Sequence, residues 1–249
     1  VNADGSFGCD LRYQGYEICD GKYNLKGLPA VYAAEEEAQT LIIYMKDQVT
    51  GLQVELLYGV LPEYDVITRS AKVINTEEDK IRLTKAQAAC IDFLHGEFDV
   101  ISFYGRHAME RNMQRTSVGH GAFVIGSRRG TSSHQYNPMM ILAEKETTED
   151  AGTCYGMSFV YSGGFKAEVE KDQFGQTRIQ MGLQEEQFSY PLKKGEEFVI
   201  PEVILTCSNQ GLEKLSQNLQ RCIRKNLCRG KYKEKVRPVL INSWEACYF

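Results

Sequence analysis

The sequence lacks any apolar run long enough to cross a membrane as a helix. Such a helix needs about 18 to 20 consecutive apolar residues, whereas the longest apolar stretches here, such as residues 41–45, have the length of a strand. Residues 1–6 carry neither the basic start nor the apolar segment of a signal peptide. No initiator methionine opens the chain, so we expect an internal segment of a longer protein, with no membrane partner.

Extremes of composition are also missing. Of the 249 residues, 43% are hydrophobic and 25% are charged, which excludes a disordered chain. The 22 glycines and 6 prolines follow no period, which excludes a collagen-like chain. A formal net charge of -4 argues against a nucleic-acid partner. A chain of this length can form one large β domain or two smaller domains.

The cysteines follow no metal-binding pattern. None of them forms the C-x-x-C spacing of a tetrahedral zinc site, so we expect no bound metal. In a chain of this length they fit small core residues or incidental thiols in a reducing compartment, which predicts a cytoplasmic location. Their even number leaves disulfides open. The eight are Cys9, Cys19, Cys90, Cys154, Cys207, Cys222, Cys228 and Cys247.

Most of the chain has the period-two pattern of β-strands. Short runs rich in Val, Ile, Leu, Tyr and Thr are separated by Gly, Pro, Asn or Asp, which indicates an antiparallel β-sandwich or barrel. The alternation in residues 66–74 predicts a sheet with one solvated face. Residues 172–175 predict a hairpin turn with a positive φ at Gly175. The predicted strands are 40–46, 53–60, 66–74, 81–90, 98–104, 123–125, 139–143, 155–161, 165–170, 178–183 and 198–206.

The pattern changes near the C-terminus. Apolar residues recur there at steps of three and four, which predicts an amphipathic helix. Ser208 or Asn209 can cap its start, and Gly230 can end it. The run at 239–241 has no polar alternation, as in a strand buried within a parallel sheet. We therefore expect the chain to leave a sheet domain, cross on a helix and begin an α/β domain. The periodic residues are Leu212, Leu215, Leu219, Cys222, Ile223 and Leu227.

The residues alone give no complete catalytic motif. No G-x-S-x-G elbow is present, and no two carboxylates have a reason to face each other across a sugar. His134 lies in a polar loop and could be a ligand or a general base, but turn composition favours a hydrogen-bonded loop that ties two strands together. Trp244, the single tryptophan, follows the run at 239–241. Its ring could stack on a sugar or pack between two domains, and the residues leave both open.

The sequence RPVLINSWEA at 237–246 resembles the start of the catalytic barrel in family 36 glycoside hydrolases, the microbial α-galactosidases. Ser243 and Cys247 are mild departures, since Asn and Thr are common there, and Arg237 and Glu245 match positions to which we assign a structural role. The resemblance extends upstream over nearly the whole chain. The matching motifs are DLRY at 10–13, GLPA at 27–30, GTSSHQ at 130–135, TED at 148–150, YG at 155–156, YSG at 161–163 and DQFG at 172–175.

This resemblance implies a mostly β fold, in which a large antiparallel β-supersandwich is followed by a linking helix and the first strand of a (β/α)8 barrel. The implied domains are residues 1–207 for the sandwich, 208–236 for the helix and linker, and 237–249 for the barrel strand. The implied reaction is retaining hydrolysis of terminal α-galactosides, such as melibiose and raffinose. Its two catalytic Asp residues would lie further along the barrel, so we expect no catalytic residue in this chain.

The resemblance also implies a site residue and partners. Trp244 would line the galactose pocket of the intact enzyme, without a metal or a cofactor. The expected partners are an α-galactoside oligosaccharide, the enzyme's own catalytic barrel and further copies in a homo-oligomer. We expect this chain alone to be inactive. The alternatives are a free-standing carbohydrate-binding β-sandwich and a sister glycosidase such as an α-N-acetylgalactosaminidase.

Overall fold

The computed structural model describes residues 1–248, which form fifteen strands, two α-helices and two 3-10 turns. The helices are α1 (Gly211–Asn226) and α2 (Trp244–Cys247), and the 3-10 turns are Glu35–Glu37 and Pro62–Tyr64. The strands are β1 (Leu11–Asp20), β2 (Gln39–Asp47), β3 (Leu52–Leu61), β4 (Val66–Asn75), β5 (Ile81–Leu83), β6 (Gln87–Phe93), β7 (Phe98–Arg106), β8 (Met109–Ser117), β9 (Gly121–Gly126), β10 (Tyr136–Glu144), β11 (Cys154–Phe159), β12 (Phe165–Lys171), β13 (Thr177–Leu183), β14 (Tyr190–Leu192) and β15 (Glu197–Ser208).

One large sheet dominates the fold. Its nine strands lie in the order β1-β2-β3-β4-β15-β11-β10-β7-β8, and every neighbouring pair is antiparallel. The last strand along the chain, β15, lies near the middle of this sheet, between β4 and β11. Two smaller sheets, β12-β13-β6 and β14-β5, lie against one face of it. The architecture is therefore the antiparallel sandwich that the strand pattern predicts.

Apolar side chains are buried on both faces of the large sheet. The main core lies between the large sheet and the smaller ones, and its fully buried members include Phe165 and Met181. A second core lies on the opposite face, where α1 packs Leu215, Leu219 and Cys222 against the sheet. The large sheet is thus a central layer, with strands on one side and a helix on the other.

This layering corrects one prediction. The alternation in residues 66–74 predicts a solvated face, but Thr68 and Ser70 are fully buried. Their hydroxyl groups donate to backbone oxygens, of Gly59 at 3.4 Å and of Ile200 at 2.6 Å respectively. Buried hydroxyls are tolerated when they are hydrogen-bonded, so polar spacing in this strand does not report exposure to solvent.

Helix α1 confirms the apolar periodicity, although its ends differ from the prediction. It begins at Gly211, after Gln210 and not directly after Ser208 or Asn209, and it ends at Asn226, four residues before Gly230. Gly211 has φ +80°, and a Cβ there would lie 2.4 Å from the oxygen of Glu149. The tight approach of the helix to the 149–152 loop therefore sets its start. None of the described helices is both long and apolar enough to cross a membrane.

The predicted hairpin is confirmed, and the predicted C-terminal strand is not. Residues 172–175 join β12 to β13, and Gly175 has φ +84°. In contrast, residues 237–243 form no strand, and the one-turn helix α2 follows them. A strand buried in a parallel sheet needs a neighbour on each edge, and no described strand pairs with this segment. Its assignment to a barrel remains a proposal.

Candidate functional site

The predicted site residue, Trp244, lies at the far C-terminal end of the described chain. It begins α2, its side chain is 57% exposed, and its backbone N–H donates to Oδ1 of Asn242 at 3.0 Å. The side chains of Val239, Leu240 and Ile241 before it are 87% to 94% exposed. This segment therefore presents one aromatic and three aliphatic side chains outside the sandwich, a composition typical of a surface that another part of a protein covers.

A tyrosine fixes the direction in which the chain leaves the sandwich. The hydroxyl of Tyr32 donates to the oxygen of Cys228 at 2.8 Å and accepts from Nζ of Lys233 at 2.9 Å. The guanidinium of Arg229 lies over the same ring, 4.1 Å from its centroid. The backbone N–H of Tyr32 donates a hydrogen bond to the oxygen of Asn226, the last residue of α1. The backbone oxygen of Tyr32 accepts one from the side-chain amide of Asn226. Tyr32 thus holds the end of the helix and the linker that follows it.

A buried ion pair supports the loop that carries Tyr32. Nζ of Lys22 lies 2.6 Å from Oε1 of Glu202, and the two side chains are 1% and 0% exposed. Oε2 of Glu202 accepts from the backbone N–H of Val31 at 2.7 Å. Lys22 also donates to the oxygen of Tyr23 at 3.2 Å. Because Glu202 belongs to the central strand β15, this pair ties residues 22–31 to the middle of the large sheet.

The Lys22–Glu202 pair is shielded from water, and this shifts the pKa of the lysine. Burial lowers the pKa of Lys22 to about 8, and the nearby Glu202 carboxylate offsets only part of that effect. The ammonium group also lies 3.1 Å from the centroid of the Tyr23 ring. Burial likewise raises the pKa of the Tyr23 phenol well above its usual value. The cluster is therefore a structural clamp, in which a proton change would alter stability.

The polar loop at His134 borders a groove of about 720 Å³, to whose lining Ser133 and Gln135 contribute. Within the loop, the Ser127 hydroxyl donates to the oxygen of Thr131 at 2.5 Å, and the N–H of Ser132 donates to the oxygen of Ser162 at 2.8 Å. The loop between β9 and β10 is thus tied to the segment after β11, which confirms the interpretation as a hydrogen-bonded connection. His134 is exposed.

Sequence reasoning missed Tyr32 and the clamp residues Lys22 and Glu202. One signal for them is present in the sequence, since Glu202 interrupts the run VIPEVIL at 199–205. A carboxylate in an apolar strand requires a buried partner. The identity of that partner, 180 residues away, could not be read from spacing. Trp244 belongs to α2, whereas Glu202 belongs to β15 and Lys22 and Tyr32 belong to the segment between β1 and β2.

Two family models match the sandwich and its C-terminal linker, and their descriptions give the class of protein as a glycoside hydrolase. The model described as "Glycosyl hydrolase family 36 N-terminal domain" matches residues 1–193, and the model described as "Melibiase" matches residues 197–249. The chain therefore belongs to glycoside hydrolase family 36. The boundary between the two matches falls just before β15, although this strand is central to the sandwich.

Known relatives match the whole chain. It is 61% identical to the bifunctional α-galactosidase/sucrose kinase AgaSK of Mediterraneibacter gnavus over 100% of this chain and 26% of the relative. It is 45% identical to the α-galactosidase Mel36A of Lactobacillus acidophilus, over 100% of this chain and 34% of the relative. The chain thus spans about a quarter to a third of the curated relatives it matches.

Solved structures share this fold. The galactosidase domain of AgaSK superposes with a TM-score of 0.97 at 61% identity, over 100% of this chain and 34% of that one. The GH36 α-galactosidase AgaA of Geobacillus stearothermophilus has been solved as a variant in complex with raffinose. It superposes with a TM-score of 0.96 at 42% identity, over 99% of this chain and 34% of that one. The mostly β, antiparallel fold predicted from the sequence is therefore confirmed.

Proposed function

We propose that this chain is the non-catalytic N-terminal part of an α-galactosidase that hydrolyses terminal α-galactosides with retention. The observation that carries the proposal is the match of the whole chain to family 36 α-galactosidases. The Tyr32 contacts suggest a role for this part, because they hold Cys228 and Lys233, which lie within the segment matched by the Melibiase model, against the sandwich. In this proposal residues 1–207 are the sandwich, 208–236 the connection and 237–249 the first part of the barrel.

The proposed substrates are oligosaccharides of the melibiose and raffinose type, supported by the raffinose complex of AgaA. Trp244 is proposed to contact the sugar in the intact enzyme. The proposed enzyme works in the cytoplasm, where its buried thiols Cys154 and Cys222 stay reduced, and it assembles as a homo-oligomer. The relatives' names support neither a free-standing sugar-binding module nor an α-N-acetylgalactosaminidase.

Hydrolysis of p-nitrophenyl α-galactoside tests the assignment. Retaining hydrolysis needs two carboxyl groups about 5 Å apart on either side of the glycosidic bond. We expect the full-length gene product to release p-nitrophenol and the 249-residue chain to release none, with the α-anomer formed first when the product is followed by NMR. Turnover by the 249-residue chain, or formation of the β-anomer first, would contradict the proposal.

Two substitutions at Trp244 separate sugar contact from packing between domains. In the full-length protein, Trp244→Ala should raise KM for the galactoside, and Trp244→Phe should recover part of the loss, because a phenyl ring can still stack on a sugar. Val49→Ala, at a turn whose side chain is 92% exposed, serves as the control. A lower thermal midpoint with an unchanged KM would assign Trp244 to packing.

A further inference from the structure

A polar groove lies between the end of β9, the start of β10 and the segment after β13. It is lined by residues 124–129 and 184–186, by parts of the loop before β10 and by one residue of β12. We name it the β9–β13 groove. Its volume of about 720 Å³ lies in the range of about 300 to 1,000 Å³ that small-molecule sites occupy.

The backbone around the β9–β13 groove is held in place by hydrogen bonds. The N–H of Ser127 donates to the oxygen of Phe165 at 2.9 Å, and the N–H of Gln184 donates to the oxygen of Gly164 at 3.2 Å. A Cβ at Gly126 would lie 2.5 Å from the oxygen of Phe165, so only glycine allows this close approach. The groove is therefore preformed, which lowers the entropic cost of binding a ligand.

Charged side chains in this groove are arranged as ion pairs. Nζ of Lys166 lies 2.6 Å from Oε1 of Glu185. Nε of Arg128 forms an ion pair with Oε2 of Glu186. Arg129 adds a third cation to the lining. The groove therefore offers cationic donors and anionic acceptors next to each other.

This mixture of charges favours a neutral ligand with many hydroxyl groups. A phosphate or carboxylate ligand would lie close to Glu185 and Glu186, and an amine would lie close to the three cations. Like charges in contact are costly. A hydroxyl group both donates and accepts, so it can bond to a carboxylate and to a guanidinium at once. Hydrogen bonds to ionised groups are about twice as strong as those between neutral groups.

An exposed aromatic ring at the same groove favours a sugar among such ligands. Tyr136, at the start of β10, lines the groove and is 37% exposed, and Val124 beside it in the lining is 50% exposed. A pyranose has an apolar C–H face as well as hydroxyl groups, and an aromatic ring can pack against that face. The groove thus combines the two kinds of contact that a pyranose requires.

We propose that the β9–β13 groove is a binding site for neutral saccharides. Tyr136 packs against one face of a pyranose ring, while Arg128 and Glu186 hydrogen-bond its hydroxyl groups. The binding residues all belong to this chain, so the inference does not depend on galactosidase activity. Failure of the hydrolysis assay and failure of saccharide binding are therefore separate results.

NMR mapping of backbone amide shifts in the 249-residue chain tests the proposal, with raffinose as the neutral probe and inorganic phosphate as the anionic one. We expect raffinose to cause saturable shifts in residues 124–136 and 184–186. Residues 237–248 should not shift, because Trp244 is proposed to contact sugar only in the intact enzyme. Phosphate should cause no saturable shift in the groove, because two carboxylates line it.

Substitutions at Tyr136 give an independent check. Tyr136→Ala should weaken raffinose binding about tenfold, as expected for removal of one well-placed aromatic contact. Tyr136→Phe should retain most of the affinity, because a phenyl ring can still pack against the sugar. Tyr232→Ala, which removes a similarly exposed ring from the linker, is the matched control and should bind as the parent chain does. Trp244→Ala should also leave the affinity unchanged.

Three outcomes would overturn the inference. Raffinose shifts that are absent, or that do not saturate, would show that the groove binds no saccharide. Saturable shifts that disappear in Trp244→Ala and persist in Tyr136→Ala would place the sugar at the C-terminal segment. Saturable binding of phosphate in the groove, tighter still in Glu186→Gln, would identify the ligand as an anion.

Discussion

A single carboxylate in β15 illustrates how a residue can organise a domain. Glu202 is fully buried, yet both of its oxygens are satisfied, by Lys22 and by the N–H of Val31. The desolvation of such a pair can exceed its Coulomb attraction, so its presence is weak support for high stability. Its effect is positional, since it determines where residues 22–31 attach to the sheet.

Removing the charge of Glu202 should destabilise the domain. Glu202→Gln leaves the Lys22 ammonium buried and unpaired, and we expect the free energy of unfolding to fall by about 3 to 5 kcal/mol in urea titrations. Glu197→Gln, at the exposed start of the same strand, is the matched control and should change it by less than about 0.5 kcal/mol. A Glu202→Gln variant as stable as the control would disprove the clamp.

The pH dependence follows from Lys22. Its pKa falls from 10.5 to about 8 in the folded chain, so between these values the unfolded chain binds more protons and stability rises with pH. The burial penalty is fully present below pH 8 and disappears above pH 10.5, a gain on the order of 3 kcal/mol. The measurement compares urea midpoints of the parent chain and the Lys22→Met/Glu202→Gln pair. A constant difference between them across this window would refute the prediction.

The sequence pattern predicts some strands more clearly than others. Runs with apolar alternation, such as residues 53–60 and 165–170, predict strands that the structure confirms as β3 and β12. Strands β1 and β8 are missed, because both are outer strands of the large sheet with mostly exposed side chains. An outer strand needs little apolar patterning, and charged residues there protect its edge from aggregation. The pairing of β15 with β4 is non-local, so spacing could not predict it.

The connection after α1 is the element whose geometry most affects the proposed enzyme. Tyr32→Phe keeps the ring under Arg229 and removes the hydroxyl that bonds Cys228 and Lys233. We expect a loss of about 1 kcal/mol in unfolding free energy and faster trypsin cleavage in the linker at 230–236. Tyr232→Phe, on the same linker, should have little effect on either. An unchanged cleavage rate in Tyr32→Phe would show that the hydroxyl does not hold the linker.

At the scale of the whole molecule, the domain depends on β15 more than on the C-terminal segment. Strand β15 supplies Ile200, Val203 and Ile204 to the two cores, whereas residues 239–241 are exposed.

Two truncations test this view by circular dichroism and thermal melting. A chain of residues 1–236 should melt within about 2 °C of the 249-residue chain, a shift worth less than about 1 kcal/mol in a domain of this size. A chain of residues 1–193, which ends with the first family match, should show no cooperative transition, because it lacks β15 and α1. Cooperative melting of the shorter chain would disprove the central role of β15.

The position of β15 also has a consequence for synthesis on the ribosome. Strands β1 to β4 and strands β7, β8, β10 and β11 leave the exit tunnel as two groups that do not pair with each other in the large sheet. Only when residues 197–208 emerge can the two groups be joined. Until then each group has an unpaired inner edge, which makes the nascent chain prone to misassociation. Closure of the sheet is then followed directly by the emergence of α1, the next element of the chain.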